Sequence, residues 1–138
     1  MRAGRGDADL YNKIMQKIDS CGAEVLTEFV GWSASKMADQ NKHRGLQNDK
    51  DIHDQDVRLL QQADAIIAEV TQPSLGVGYE LGRAQAMGKK ILCLYRPQPE
   101  KQLSAMVRGA EDGDKFVVKD YAVNEIDDII TDFVSSQK

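Results

Sequence analysis

The sequence predicts an α/β domain with a doubly wound, flavodoxin/Rossmann-like parallel sheet and helices on both faces. Three apolar, β-branched runs, at 64–70, 91–95 and 116–121, are too short for helices and are typical of buried strands. Segments with the apolar spacing of helices separate these runs, as in a parallel sheet covered on both sides. The 138 residues suffice for one buried core, so residues 1–138 are expected to form a single domain.

Helices and strands are predicted along most of the chain. The helices carry apolar residues three or four positions apart, as Leu10, Ile14 and Ile18 do in the first of them. Gly22 and Gly88 mark two helix ends. In chain order, the sequence predicts helix 8–20, strand 23–29, helix 50–62, strand 64–70, helix 76–87, strand 91–95, helix 103–110, strand 116–121 and helix 123–135.

The elements of the first half enclose a long polar segment. Residues 33–51 are polar and irregular, with Met37 and Leu46 as their only large apolar residues. The segment is long for a plain connection, so a lid or a flexible loop is expected here.

Composition and charge argue against several classes of function. The 22 acidic and 18 basic residues give a net charge of −4, which argues against a nucleic-acid polymer as the main partner. No apolar run reaches membrane-spanning length, and the first residues lack the apolar stretch of a signal peptide. No membrane association is therefore expected.

Cysteine and histidine usage indicates a reduced compartment and no metal site. Cys21 and Cys93 could pair, but Cys93 lies inside an apolar run and is expected to be a small core hydrophobe. The expected location is the cytoplasm, and also the nucleus. His43 and His53 have no supporting cysteine cluster, so neither zinc nor another cofactor is expected.

The junction after strand 64–70 predicts a phosphate-binding turn. Ser74, Gly76 and Gly78 open a helix whose first amides and positive dipole end can hold an anion. The small residues let the backbone approach closely, and the Ser74 hydroxyl adds a donor. Simple helix capping explains Ser74 and Gly76 nearly as well, and both readings stay open.

Two carboxylates are candidates for catalysis of N-glycosidic bond cleavage. Glu80 lies just beyond the phosphate-binding turn, and Asp56 lies in the preceding helix. One carboxyl group can attack or stabilise the sugar cation while the other handles the proton. The alternative is that Asp56 is a solvated helix residue and Glu80 an anion favoured by the helix dipole. Whether Asp56 reaches Glu80 is a tertiary question.

Other polar residues have simpler local explanations. Arg83, Arg96 and Arg108 can each hold a phosphate, but exposed arginines are usually solvated or paired on the surface. Ser104 is expected to cap a helix, and His53 is expected to be a surface residue.

The stretches 60–83, 90–98 and 103–110, above all the run 70–82, closely resemble the 2'-deoxynucleoside 5'-phosphate N-hydrolases of the nucleoside 2-deoxyribosyltransferase superfamily. The likeness covers nearly the whole chain. It implies a homodimeric enzyme that hydrolyses a deoxynucleoside 5'-monophosphate to free base and 2-deoxyribose 5-phosphate without a metal.

The resemblance also implies roles for individual residues. Glu80 matches the nucleophile that forms a covalent deoxyribosyl intermediate, and Asp56 matches the carboxylate that assists protonation of the departing base. Four more matches concern the 5'-phosphate: Ser74 and Gly76 would grip it, Ser104 would reach it from the partner subunit, and Arg2 would lie near it.

The chain also departs from the family pattern. Residues 2–6 look like the glycine-bearing turn after a strand, so the first strand of the fold is expected to be missing. In related folds that strand lies between those matching 23–29 and 64–70, and its loss should leave a gap or an unpaired edge. Phe29 stands where relatives place a histidine.

Three hypotheses of function follow. The leading one is hydrolysis of deoxynucleoside monophosphates. The second is a catalytically inactive, truncated variant that binds nucleotides or pairs with a complete subunit, and the third is a nucleotide sensor without turnover. Base preference is not predicted, because the polar segment 33–51 carries no readable pattern.

Overall fold

A computed structural model of the chain describes residues 8–26 and 48–137. Within these residues the chain forms five α-helices and three β-strands. In chain order they are α1 (Ala8–Ser20), α2 (Asp49–Gln62), β1 (Ala65–Glu69), α3 (Leu75–Ala86), β2 (Lys90–Tyr95), α4 (Ala105–Arg108), β3 (Phe116–Asp120) and α5 (Ile126–Ser135), with a 3₁₀ turn at Val123–Glu125 before α5.

The strands form one parallel sheet in the order β1-β2-β3. Ile66 lies opposite Ile91 in the first pair of strands, and Leu92 lies opposite Val117 in the second. Helices α3 and α4 make the crossovers that parallel neighbours require. The predicted α/β class with a parallel sheet is confirmed.

Each face of the sheet packs against its own helices. Successive residues of β2 point to opposite faces, so Cys93 lies in the first core and Leu92 in the second. This burial on both faces explains why the strand is apolar from Ile91 onward. The first core contains Leu60, Ile66, Ala68, Val70, Val77, Leu81, Ala84, Ile91, Cys93, Tyr95, Phe116 and Val118. The second contains Ile14, Leu92, Leu94, Tyr121, Ile126, Ile130 and Val134.

Cys93 lies in the core, as the sequence predicts. Its side chain is fully buried, and burial raises the pKa of its thiol to about 12, which makes it unreactive. Cys21 and Cys93 are both free cysteines.

Local capping accounts for several helix boundaries. Asn48 begins α2 by accepting a hydrogen bond of 2.9 Å from the Asp51 amide. The predicted helix 103–110 is shorter than expected, because the backbone of Ser104 is not helical (φ −47°, ψ 132°) and its hydroxyl caps α4. At the end of α4, a Cβ on Gly109 would lie 2.8 Å from the Ala105 carbonyl oxygen, so the close approach requires glycine.

The predicted strand 23–29 is not present in its described part. Residues 23–26 are irregular, and the Ala23 amide bonds the Ile18 carbonyl oxygen at 3.4 Å, which ties this stretch to the end of α1. Residues 27–29 lie outside the described part of the chain, as does most of the segment 33–51, whose last residues begin α2. The sequence pattern alone does not supply the hydrogen-bonded neighbour that a strand needs.

Candidate active site

The carboxyl edge of the sheet leads directly into the first turn of α3. Ser74 caps this helix: its Oγ accepts a 3.3 Å hydrogen bond from the Val77 amide, and its carbonyl oxygen accepts one of 3.1 Å from the Gly78 amide. The amides of Leu75 and Gly76 lie in the first turn, where a helix has no internal acceptor for them. The Leu75 side chain is 96% exposed, so this helix end is open to solvent.

The two glycines of this turn are not required by the packing of the described residues. A Cβ on Gly76 would lie 3.9 Å from Ser74 Oγ, an ordinary contact, and a Cβ on Gly78 would meet none of the described atoms within 4 Å. Both positions are exposed. Space above the backbone is therefore available for an anion at this helix end.

Glu80 and Asp56 come together between α3 and α2. The Glu80 side chain is half-buried and hydrogen-bonds to the Asp56 side chain. Burial raises the pKa of Glu80 to about 7, and the negative charge of Asp56 and the hydrogen bond between the two groups add to this shift. At pH 7 the Glu80 carboxyl group is therefore about half protonated, so both of its forms are available to a reaction.

A second contact joins the same two helices beside the carboxyl pair. The Tyr79 hydroxyl lies 2.8 Å from His53 Nε2 and accepts a 2.9 Å hydrogen bond from the Arg83 guanidinium. His53 Nδ1 lies 2.9 Å from a carboxylate oxygen of Asp54. With Arg83 donating to Tyr79, the tyrosine hydroxyl can donate to His53 Nε2 while Nδ1–H donates to Asp54.

Sequence reasoning missed this polar cluster. His53 is exposed, as expected, but it is one helical turn before Asp56, just as Tyr79 directly precedes Glu80. A helical-wheel comparison of α2 and α3 would have placed His53 and Asp56 on one face. Arg83 also lines an open depression of about 600 Å³ on the outer side of α3, with Gly78, Tyr79, Gly82, Ala86 and Met87.

The remaining predicted site residues have other local partners or lie outside the described residues. Ser104 is exposed at the start of α4, where its Oγ accepts a 3.2 Å hydrogen bond from the Met106 amide. This confirms the expected helix cap. Arg2 lies outside the described part of the chain. Arg108 pairs with Asp120 at 2.8 Å on the surface, as its local sequence suggests.

The described ranges hold neither a metal-binding cluster nor a membrane-spanning helix. Residues 8–26 and 48–137 contain no group of three His, Cys, Asp or Glu side chains arranged to hold a metal ion. None of the helices in those ranges combines the length and the apolar character needed to cross a bilayer.

Comparison with known proteins identifies relatives over nearly the full chain. Residues 4–120 match the nucleoside 2-deoxyribosyltransferase family. A protein of Tetraodon nigroviridis named 5-hydroxymethyl-dUMP N-hydrolase is 54% identical over 138 residues, which cover 100% of this chain and 94% of the relative.

Two further proteins carry the same name. The one from Esox lucius is 51% identical over 133 residues, covering 96% of this chain and 90% of the relative. The human one is 49% identical over 130 residues, covering 94% of this chain and 72% of the relative. The family match includes the three described strands and both carboxylates of the candidate site.

Proposed function

Because the chain belongs to the nucleoside 2-deoxyribosyltransferase family, we propose that it hydrolyses the N-glycosidic bond of 2'-deoxynucleoside 5'-monophosphates. The products would be a free nucleobase and 2-deoxyribose 5-phosphate. The names of its relatives support 5-hydroxymethyl-dUMP as the first substrate to test. The observation that carries the proposal is the hydrogen bond between Glu80 and Asp56 beyond the helix end capped by Ser74.

The 5'-phosphate is the group that would hold the substrate in place. The positive end of the α3 dipole, the amides of Leu75 and Gly76 and the Ser74 hydroxyl all favour a dianion at this point. The Ser74 oxygen already accepts from Val77, so its hydroxyl hydrogen can donate to a phosphate oxygen. Gly78 belongs to the same exposed turn and leaves room for the sugar.

The carboxyl pair would then carry out a two-step displacement. In the first step an ionised Glu80 oxygen bonds to C1', the C1'–N bond breaks, and the base leaves with the electron pair and takes up a proton that Asp56 relays from solvent. In the second step a water molecule attacks C1', loses a proton to the pair and releases Glu80. These two reaction steps need no metal or cofactor.

Direct contact between the carboxyl groups supports a covalent route over a single displacement by water. Inverting glycosidases separate their carboxyl groups by about 6.5–9.5 Å to hold a water molecule, whereas retaining ones keep them about 5–5.5 Å apart. Carboxyl groups that interact this closely fit the arrangement of the retaining enzymes better than the wider spacing of the inverting ones. Glu80 is therefore assigned as the nucleophile and Asp56 as the group that orients it and transfers the proton.

A homodimer is the proposed assembly. Ser104 is exposed at the start of α4, next to Met106, which is 84% exposed. From the family resemblance we assign Ser104 to the phosphate of the partner subunit and Arg2 to the surroundings of the phosphate.

Base release from purified protein tests the proposal. The chain is incubated with 5-hydroxymethyl-dUMP, deoxyguanosine monophosphate and the unphosphorylated nucleosides, and the free base is quantified. We expect release from the monophosphates only. Glu80→Ala should reduce the rate by roughly 1,000-fold or more, whereas Glu24→Gln, a change at an exposed glutamate of the α1 end, should leave it unchanged.

The covalent step has its own readout. Rapid acid quench followed by intact mass measurement should detect a deoxyribosyl phosphate adduct on the wild type and none on Glu80→Ala. Release of base without any adduct would favour direct attack by water. Binding of the monophosphate without base release from folded protein would instead favour the inactive, nucleotide-binding alternative.

A further inference from the structure

A buried carboxylate lies at the end of β1, outside the proposed reaction. Glu69 is only 2% exposed, although most of the glutamates in the described ranges lie on the surface. Burying a carboxylate is costly unless charge and hydrogen bonds compensate it. The groups that surround Glu69 therefore indicate what this residue is for.

Three groups compensate the Glu69 carboxylate, and each follows a different strand. Oε1 accepts a 2.6 Å hydrogen bond from the Thr71 amide, which follows β1. Oε2 accepts a short hydrogen bond from the Tyr121 hydroxyl, just after β3. The Arg96 guanidinium, just after β2, approaches Oε2 with its Nε at 3.8 Å. Carboxyl ends of parallel strands meet at one edge of the sheet, so these side chains converge there.

Thr71 connects this cluster to the candidate active site. Its amide donates to Glu69, and its Oγ1 accepts a 2.9 Å hydrogen bond from the Arg96 amide. Thr71 is itself buried, and only two residues separate it from Ser74. The backbone that leads into the first turn of α3 is thus held in place by two hydrogen bonds, one at the amide of Thr71 and one at its hydroxyl.

We propose that Glu69 and Tyr121 act through Thr71 as positioning residues for the phosphate-binding turn at Ser74–Gly76. The inference rests on the proposed function, because it concerns affinity for the 5'-phosphate. It assigns no chemical step to Glu69 or Tyr121. Both residues hold the backbone amides and the Ser74 hydroxyl of the turn in position before the substrate binds. This lowers the conformational entropy that is lost on binding.

The Tyr121 hydroxyl is suited to this role as a permanent donor. Burial raises the pKa of Tyr121, and the hydrogen bond to Glu69 raises it further. The hydroxyl therefore keeps its proton at any pH at which the enzyme would work.

The test compares substitutions that each remove one hydrogen bond of this cluster with a similarly small change of side chain elsewhere in the core. Thr71→Val removes the hydroxyl but keeps the shape, Thr71→Ser keeps the hydroxyl, and Tyr121→Phe removes the bond to Glu69. Ile130→Val is the control, because Ile130 is fully buried in α5 and belongs to the same core as Tyr121. Binding of deoxyguanosine monophosphate, inorganic phosphate and deoxyguanosine is measured by calorimetry, together with kcat and KM for base release.

We expect Thr71→Val and Tyr121→Phe to weaken binding of both phosphate-bearing probes about five- to tenfold. Their kcat should stay within about twofold of the wild-type value, and binding of deoxyguanosine should not change. Thr71→Ser should restore the affinity that Thr71→Val loses. Ile130→Val should bind like the wild type even if it is equally destabilised, which separates positioning from general stability.

The outcomes distinguish this inference from the proposed function. If the wild type releases base and the Thr71 and Tyr121 variants bind phosphate normally, the positioning role is wrong and the proposed function stands. A parallel loss of deoxyguanosine binding, or an equal loss in Ile130→Val, would also overturn it. If the wild type neither releases base nor binds a monophosphate, the proposed function fails and the inference fails with it.

Discussion

At the scale of single residues, the proposed role of Glu80 as a nucleophile makes two demands that oppose each other. A nucleophile must be ionised when the substrate is bound, yet burial and the neighbouring Asp56 charge both favour the protonated form and raise the pKa of Glu80 to about 7. Such a conflict is common where a fold has been shaped for chemistry and not for stability. Two predictions about Glu80 follow from it.

The first prediction concerns the pH dependence of the rate. Because Glu80 must lose its proton to attack C1', kcat/KM should rise with pH and level off above about pH 7. Replacing Asp56 with asparagine removes a negative charge and supplies an amide donor, so the remaining activity of Asp56→Asn should level off at lower pH. An acid limb that stays near pH 7 in Asp56→Asn would assign it to another group.

The second prediction concerns stability. The pKa of Glu80 is about 7 in the folded chain against an ordinary value of 4.5, so the folded state binds the proton more tightly than the unfolded state. This contribution to stability is fully present below pH 4.5 and is lost as the pH rises through 7. At pH 8, Glu80→Gln should therefore exceed the wild type in free energy of unfolding by about 2 kcal/mol, after allowance for partial exposure.

Urea denaturation at pH 4 and pH 8 measures this difference. The advantage of Glu80→Gln should be small at pH 4, where the wild-type side chain is mostly protonated in both states. Glu24→Gln provides the matched control at an exposed position and should show no pH-dependent gain. An equal gain at both pH values would mean that packing, and not ionisation, explains the effect.

At the scale of elements, the start of α3 serves both the fold and the proposed site. Ser74 caps the helix, and the same turn presents its amides and dipole to solvent. Asn48 caps α2 in a similar way, but at a position that the proposed reaction does not use. The two caps therefore form a natural comparison between a structural and a functional helix end.

We predict that Ser74→Ala and Asn48→Ala each lower the free energy of unfolding by about 1 kcal/mol, because each removes one helix cap. Only Ser74→Ala should also weaken binding of deoxyguanosine monophosphate, by roughly tenfold, since a hydrogen bond to a charged group is lost. Thermal unfolding and calorimetric titration check the two quantities. Equal affinity of both variants for deoxyguanosine monophosphate would mean that Ser74 acts only as a helix cap.

The packing of α2 against α3 determines whether the two carboxylates can act together. The His53–Tyr79 contact and the Glu80–Asp56 contact lie side by side along this pair of helices. His53 and Asp56 are one turn apart on α2, so one helix–helix contact aligns both pairs. A change that shifts α2 would therefore disturb the chemistry without touching Glu80.

At the scale of the whole molecule, the sheet supports a site that the proposed dimer would complete. Two cores, one on each face, hold the strand ends in place, and the candidate groups gather at the carboxyl edge. Binding sites at this edge are the rule in open α/β sheets. Ser104 lies on the β2–β3 connection, at the start of α4, and its proposed partner is the phosphate of a second subunit.

The dimer proposal predicts complementation between two defective chains. Glu80→Ala lacks the nucleophile but retains Ser104, and Ser104→Ala lacks the partner contact but retains Glu80. When equal amounts exchange subunits freely, half of the dimers are mixed and each has one intact site, so activity should reach about a quarter of the wild-type value. Base release before and after mixing measures this effect, and light scattering verifies the dimer.

A mixture no more active than its separate components would contradict the role of Ser104. So would a strictly monomeric wild type with full activity, because Ser104 could then not reach a second subunit.

The order of helices and strands could be predicted because it depends on local patterns. The apolar run 91–95, the cap at Ser74 and the glycine at the end of α1 each leave a signal within a few residues. The prediction of a strand at 23–29 is wrong over its described residues. A strand also needs a hydrogen-bonded neighbour, and local composition does not show whether one is present. The chemistry of Glu80 and Asp56 was predicted as a possibility, without knowledge that they touch.

The sequence by itself determined the α/β class, the apolar cores and the capped helix end at which we propose a phosphate site. Only the tertiary structure decided that Asp56 interacts with Glu80. It also decided that the Glu69 carboxylate interacts with Thr71, Arg96 and Tyr121. The physical reason is that these contacts join residues from separate elements. Their distances depend on how helices and strands pack, and a raised pKa arises only once packing has removed water and brought like charges together.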